Sequence, residues 1–364
     1  MNQQLLYQIA ITKIPLVGAV TAKQLISYCG SAEAVFSASK RSLLRIPGVG
    51  PQIAGSILRH STLKEAEQEL RFLETHSIQA FSYLDRQYPQ RLRQYNDCPL
   101  VLYYKGQASL NPQRAVAIVG TRKPSPYGRR ICAQLVEELH AFDVLLISGL
   151  AYGIDVTAHK KCLELGVNTV GVLGHGLHKI YPAAHRAVAR QMIDQGGLLT
   201  EYASYVEPDR EHFPMRNRII AGMCDALIVV ETGPRGGSMI SAEIANGYHK
   251  DVFAIPGRPK DQQSMGCNQL IKAHKAALIE SATDLAALMR WDSPPQTGIQ
   301  KELFVNLDTE EQQIVDLLRQ HEEIGIDRLT ALTTKSTSQM ASLLLQLEFK
   351  GLLRVLPGKR YMLS

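Results

Sequence analysis

The sequence predicts an α/β protein built on a doubly wound parallel sheet, with a small helical domain before it and a winged-helix domain after it. Three observations carry that prediction. Apolar runs of strand length, glycine-bearing turns and helix-forming stretches alternate from Ala115 to Gly257, as βα units do. A segment Ile14-Pro15-Leu16-Val17-Gly18 is echoed by Ile46-Pro47-Gly48-Val49-Gly50. After the stretch 292–300, DSPPQTGIQ, helical periodicity restarts. The expected domains are residues 1–75 (helical), 76–291 (sheet), 292–302 (linker) and 303–364 (winged helix).

In the first domain each Ile-Pro-x-Val-Gly segment leads into a helix-like stretch, giving two small helical units. The second, IPGVGPQIAGSIL, resembles a helix-hairpin-helix of the SAM-like kind, whose glycine turn aims backbone N–H groups at a DNA phosphate. The same unit serves equally as a helical packing or protein-contact domain, because the first copy lacks the G-x-G turn. An amphipathic helix follows from Leu63 to Glu74. Tyr83, Tyr88, Tyr95, Tyr103 and Tyr104 come next and read as core and edge-strand residues of an extension to the sheet, in preference to a base-stacking surface beside Arg86, Arg91 and Arg93.

The sheet itself is read from four segments. Ala115 to Arg130 runs from a strand through Gly120, Thr121 and Arg122 to a helix starting near Ser125. Val144 to Lys161 passes through Ser148 and Gly149 into a helix with Asp155 in its first turn. Asn168 to Arg186 ends a strand in glycines and carries Lys179 just beyond. Ala226 to Val230 is a further strand, broken by Gly233 to Gly237 before Ser238 opens a helix; Arg216, Arg218 and Arg235 add charge around it. A helix amino end reached through glycines presents free N–H groups and a positive dipole end, so this edge suits phosphate. No segment reads G-x-G-x-x-G between strand and helix with an acid some 20 residues on, which disfavours a nicotinamide or flavin enzyme.

These residues resemble the DNA-processing protein A family, DprA or Smf. The resemblance is carried by Val119-Gly120-Thr121-Arg122 with Ser125 and Tyr127-Gly128, by Ser148-Gly149-Leu150-Ala151 with Gly153-Ile154-Asp155 and Ala158-His159, and by Leu173-Gly174 with Gly176-Leu177 and Tyr181-Pro182. Phe213-Pro214 with Arg216-Asn217-Arg218-Ile219-Ile220-Ala221-Gly222, then Gly237-Ser238 and Ala254-Ile255-Pro256-Gly257, continue it in order. It implies a Rossmann-like domain that binds single-stranded DNA, protects incoming strands in natural transformation and helps load the RecA recombinase as a homodimer. His178 stands where the family has Asp, His185 where Asn is common, and Met239-Ile240-Ser241 replaces Leu-Ile-Thr.

The expected DNA contacts follow. Arg122, Lys179, Arg216 and Arg218 supply charge; Ser148, Gly149, Gly237 and Ser238 supply N–H groups or hydroxyls; Asn217 positions its neighbours or reaches a base. Phosphate contacts carry no base information, so sequence specificity should be low. No catalytic residue, metal or cofactor is expected. Asp155 and His159, four apart on one helix, lack a visible third member and read as a helix-start residue and a packing residue. The alternative is a nucleoside-phosphate hydrolase of the lysine-decarboxylase-like group, with Gly236, Gly237 and Glu243 at its site, although those enzymes read P-G-G-x-G-T-x-x-E and this chain does not.

The formal net charge of +6 permits a polyanionic partner without demanding one. The six cysteines contain no C-x-x-C pair, so neither a zinc site nor a disulfide framework is expected. With no signal-like amino end and no run of membrane length, the reading is a cytoplasmic protein with no membrane partner. The tail reads as three helices, about Thr309 to Gln320, Ile326 to Thr333 and Thr337 to Lys350, then a β-ribbon from Leu352 to Met362 turned at Pro357-Gly358. Gln339, Ser342 and Gln346 make its third helix an uncharged face, as fit for protein contact as for reading DNA.

Overall fold

The computed structural model describes residues 3–59, 62–291, 308–319, 321, 324–333, 335–349, 352–356 and 360–363. It divides into two compact units, 1–295 and 296–364. The linker expected at 292–302 and the turn expected at Pro357-Gly358 lie outside the described residues.

The first unit opens with helices α1 (Gln3–Thr12), α2 (Ala19–Cys29), α3 (Ala32–Ser37), α4 (Lys40–Leu43), α5 (Pro51–Arg59) and α6 (Thr62–Thr75). The repeated segments are two copies of one hairpin. In each, the valine N–H returns to the isoleucine carbonyl, Val17 to Ile14 at 3.2 Å and Val49 to Ile46 at 3.1 Å, and all four side chains are buried. The middle residue takes a left-handed backbone in both copies, Leu16 at φ +69° and Gly48 at φ +78°. Glycine adopts that conformation freely and leucine at a cost.

Beyond these helices, β1 (Gln79–Ser82), α7 (Gln90–Arg93) and β2 (Val101–Gly106) form the tyrosine-rich extension. Tyr103 and Tyr104 sit on β2, and Leu100, Val101 and Tyr103 share a core with the helical hairpins, so the helices pack on this edge of the sheet. The alternating units are β3 (Arg114–Val119), α8 (Pro126–Leu139), β4 (Val144–Ser148), α9 (Ile154–Leu165), β5 (Thr169–Val172), α10 (Arg186–Gln195), β6 (Gly197–Thr200), α11 (His212–Met223), β7 (Ala226–Val229), α12 (Gly237–Gly247), β8 (Asp251–Ala254), α13 (Met265–Lys272), β9 (Ala277–Leu278) and α14 (Ala282–Leu288).

The sheet has nine strands in the order β1-β2-β6-β5-β4-β3-β7-β8-β9. Strands β3 to β9 run parallel, and β2 joins β6 antiparallel. The chain winds outward from β3 to β6, crosses back, and continues outward from β7, which places a topological switch between β3 and β7. Both faces are covered, and this is why the strands are continuously apolar. Ala115, Ala117 and Val119 of β3 meet α11 to α13 on one face, while Val116 and Ile118 meet α8, α9 and α14 on the other.

The second unit holds α15 (Thr309–Arg319), β10 (Ile324–Gly325), α16 (Ile326–Leu332), α17 (Thr337–Phe349), β11 (Leu353–Leu356) and β12 (Arg360–Leu363). Its sheet has the order β10-β12-β11, antiparallel throughout, and Ile314, Leu318, Leu329, Met340, Leu344 and Leu353 form its core. This is the winged-helix arrangement. Gln339, Ser342 and Gln346 are exposed on α17.

Candidate functional site

All the glycine turns of the parallel strands gather at the carboxyl edge of the sheet, where ligands of doubly wound folds collect. The first of them, between β3 and α8, is already filled. Ser125 caps α8 by accepting from the Gly128 N–H at 3.0 Å. The buried Glu231 carboxylate, delivered from the end of β7, accepts from the Ser125 N–H at 2.8 Å and from its hydroxyl at 2.6 Å. That carboxylate occupies the position where a dinucleotide-binding fold holds pyrophosphate.

The turn after β4 is filled as well. Ser148 is fully buried and its hydroxyl donates to the Ile118 carbonyl at 2.6 Å, so it braces two strands instead of facing outward as expected from the sequence. A Cβ at Gly149 would collide with the Asp155 carboxylate and the Arg216 guanidinium, which share the space above it. Asp155 accepts from the Ala151 N–H at 3.3 Å; burial raises its carboxyl above the usual range, while Arg216 opposes that rise. His159 is wholly buried, with Nε2 donating to the Gly149 carbonyl at 2.5 Å and Nδ1 lying 2.7 Å from the Thr169 hydroxyl. Burial pushes its pKa down to about 4, so the ring is neutral near pH 7 and out of reach of any substrate.

Between the ends of β3, β4 and β5 and the start of α11 lies a pocket. Its charged lining is Arg122 and Arg216, and its aromatic lining is Tyr152, Tyr181 and Phe213, with His175 and Gly174 on the β5 side. Exposed Arg122 places its guanidinium 5.6 Å from the centre of the Phe213 ring, which stacks on Tyr181 at 6.0 Å. Arg216 is only 6% exposed and is tied to the Val172 carbonyl and, through Nε, to Asn217 Oδ1 at 3.2 Å. Burial lowers its pKa and Asp155 counters that effect. His175 is buried and its pKa is lowered by that burial.

The remaining expected contacts are dispersed. Arg218, two residues from Arg216 on α11, points to the opposite side, where it is buried in an ion pair with Glu201. That geometry removes it from the pocket. Asn217 serves by holding Arg216. Lys179, on the loop after β5, is paired with Glu207, which also meets His178 Nε2 at 3.2 Å. Because His178 Nδ1 accepts from the Tyr205 N–H at 3.0 Å, its proton lies on Nε2. Gly237 and Ser238 open α12 and do not line the pocket beside Arg122. The Ser238 hydroxyl is buried with no hydrogen-bond partner among the described residues. Glu243, the candidate of the hydrolase reading, is exposed and paired with Lys275 at 2.6 Å, away from the pocket. The aromatic lining was not counted among the expected contacts, although Tyr181 and Phe213 stand in motifs that carry the resemblance and Tyr152 lies in the segment after β4.

Comparison with known proteins gives the family. The family described as DNA recombination-mediator protein A matches residues 79–290, a helix-hairpin-helix motif matches 9–69, and a DprA winged helix domain matches 302–359. Protein Smf of Synechocystis is 31% identical in an alignment covering 99% of this chain and 99% of that protein. DNA processing protein DprA of Streptococcus pneumoniae is 39% identical, with 59% of this chain and 75% of that protein aligned. The X-ray structure of the S. pneumoniae protein superimposes with a TM-score of 0.68 at 32% identity, covering 78% of this chain and 97% of that one. A structure of DNA processing protein A from Helicobacter pylori, described for its single-stranded DNA binding mode, has a TM-score of 0.54 at 28% identity, covering 59% of this chain and 97% of that one. A family match over more than half of the chain, together with a relative aligned from end to end, shows that this protein belongs to the DNA recombination-mediator protein A family, DprA/Smf.

Proposed function

We propose that this protein binds single-stranded DNA at the carboxyl edge of its sheet. Through that binding it acts as a recombination mediator that protects incoming strands and helps load RecA during natural transformation. The carrying observation is the pocket in which exposed Arg122 rests on the Phe213–Tyr181 stack beside the buried charge of Arg216. Arg122 meets a backbone phosphate, the aromatic rings offer faces to an unpaired base, and Arg216 provides a fixed positive field beneath it. Lys179 and the open α12 amino end at Gly237 and Ser238 add further phosphate contacts, whereas the closed turn at Gly149 adds none. A duplex keeps its bases stacked inside, so a single strand is preferred. Ring faces and phosphates discriminate poorly among sequences. Strand protection, RecA loading, a homodimeric state and a cytoplasmic setting are carried by the family resemblance; no cofactor, metal or catalytic step is needed.

Anisotropy titration with labelled oligo-dT and a matched duplex at several salt concentrations tests this reading. The expected result is salt-sensitive, single-strand-preferring binding that mononucleotides do not displace. Arg122→Ala should weaken binding to every sequence and reduce the salt slope by about 0.7, the share of a single phosphate neutralised on an unpaired strand. Displacement by a single nucleotide, accompanied by its hydrolysis, would put the nucleoside-phosphate hydrolase in first place.

A further inference from the structure

Resting on that reading, we infer that the DNA surface continues past the pocket, across the switch between β3 and β7, along a second basic tract that takes the phosphates of flanking nucleotides. The tract consists of Lys123 in the β3–α8 loop, Arg129 and Arg130 at the start of α8, Arg235 in the β7–α12 loop, and Arg258 and Lys260 in the β8–α13 loop. All six side chains are exposed. None of them lies in an ion pair among the described residues.

The three loops form one surface. Gln263 donates to the Lys123 carbonyl at 3.1 Å, Tyr127 donates to the Pro256 carbonyl at 3.3 Å, and the Gly266 N–H reaches the Thr232 carbonyl at 2.8 Å. The acidic groups nearby do little to neutralise the tract. Asp261 is folded onto its own loop, accepting from the Gln263 N–H at 3.0 Å and the Ser264 hydroxyl at 3.3 Å. Glu231 is buried beneath Ser125, and Glu280 borders the tract at Tyr127. Like charges gathered with no carboxylate in ion-pair contact raise the energy of the free protein and lower that of a complex with a polyanion. Arg130 also lies 5.9 Å from the centre of the partly exposed Tyr127 ring, a cation and an aromatic of the kind that hold single strands.

The occupant is the strand already held in the pocket, because the tract begins at Lys123, the residue next to Arg122. The full chain and a Lys123→Ala/Arg130→Ala/Arg258→Ala variant, with equal melting temperatures as the check on folding, are titrated with oligo-dT of about 4 to about 16 nucleotides, the span of sites in single-strand-binding folds. Wild type should bind more tightly as the oligonucleotide lengthens. The variant should bind the shortest oligonucleotide as wild type does, show no such increase, and give a salt slope on the longest that is lower by about 2, for three phosphates at about 0.7 each. If the variant keeps the wild-type length dependence, the tract does not touch DNA and the pocket stands alone. Equal weakening at every length would show long-range attraction without contact and overturn the extension. Should wild type bind no oligonucleotide at all, the pocket reading itself fails.

Discussion

Three of the glycine turns at the carboxyl edge of the sheet, those before α8, α9 and α12, are treated differently by the chain. The turns before α8 and α9 are closed from within, by Glu231 on Ser125 and by Asp155 and His159 around Gly149. The turn before α12 receives no such carboxylate: a Cβ at Gly237 would meet nothing within 4 Å, and the Ser238 hydroxyl lacks a partner among the described residues. The difference teaches that glycines leading into a helix make an anion site only where the protein withholds its own anion. The free helix end and its dipole are common to all three turns. What separates them is occupancy.

The contrast can be broken at a closed turn by acid. Burial holds His159 neutral with a pKa pushed down to about 4, from an ordinary value of 6.5. The folded state therefore binds fewer protons than the unfolded chain, so this contribution is fully present above about pH 6.5 and drains away as pH falls toward 4. On the order of 3 kcal/mol should be lost across that window, and His159→Gln should flatten the profile when urea unfolding is followed from neutral to acid pH. Identical profiles for the two proteins would mean that the ring is not sealed in the turn. Next in size, Glu231→Gln removes a charged acceptor from two hydrogen bonds at the start of α8 and should cost about 2 kcal/mol in the same assay. An unchanged midpoint would show the first turn to be open. The smallest effect has the opposite sign. Ser238→Ala removes a buried, unpartnered hydroxyl, and should leave stability level or raise it by up to about 1 kcal/mol while weakening the binding of single strands. A clear loss of stability would reveal a structural partner for that hydroxyl.

The winding of the sheet, its glycine turns and the winged-helix order were legible because they rest on local signals: apolar runs, turn residues and periodicity. The position of Arg122 in the loop after β3 was legible for the same reason, since that loop follows a plain strand. The three remaining charges expected at one site were not separable by composition. Only once 212–223 is known to be a single helix does the two-residue spacing of Arg216 and Arg218 send them to opposite sides. Lys179 is restrained by Glu207 across 28 residues, and Glu231 reaches Ser125 across 106, a contact created by the adjacency of β3 and β7. Nothing local in VVETG announces that its acid will close another strand's turn. The inward hydroxyl of Ser148 was hidden likewise, since an exposed and a buried serine at a strand end are spelled alike.

Arg216 has one more consequence. Its guanidinium is immobilised between the Val172 carbonyl and Asn217 before any ligand arrives. The freedom of an arginine side chain is worth about 2 kcal/mol, and here it is surrendered when the chain folds and not when a strand binds. Arg122, exposed on Phe213, must still give up that freedom at the moment of contact. Under the proposed reading, the two arginines would divide capture from retention: the exposed one would meet the incoming strand and set how fast it is caught, and the immobile one, already in register, would lengthen the time it stays.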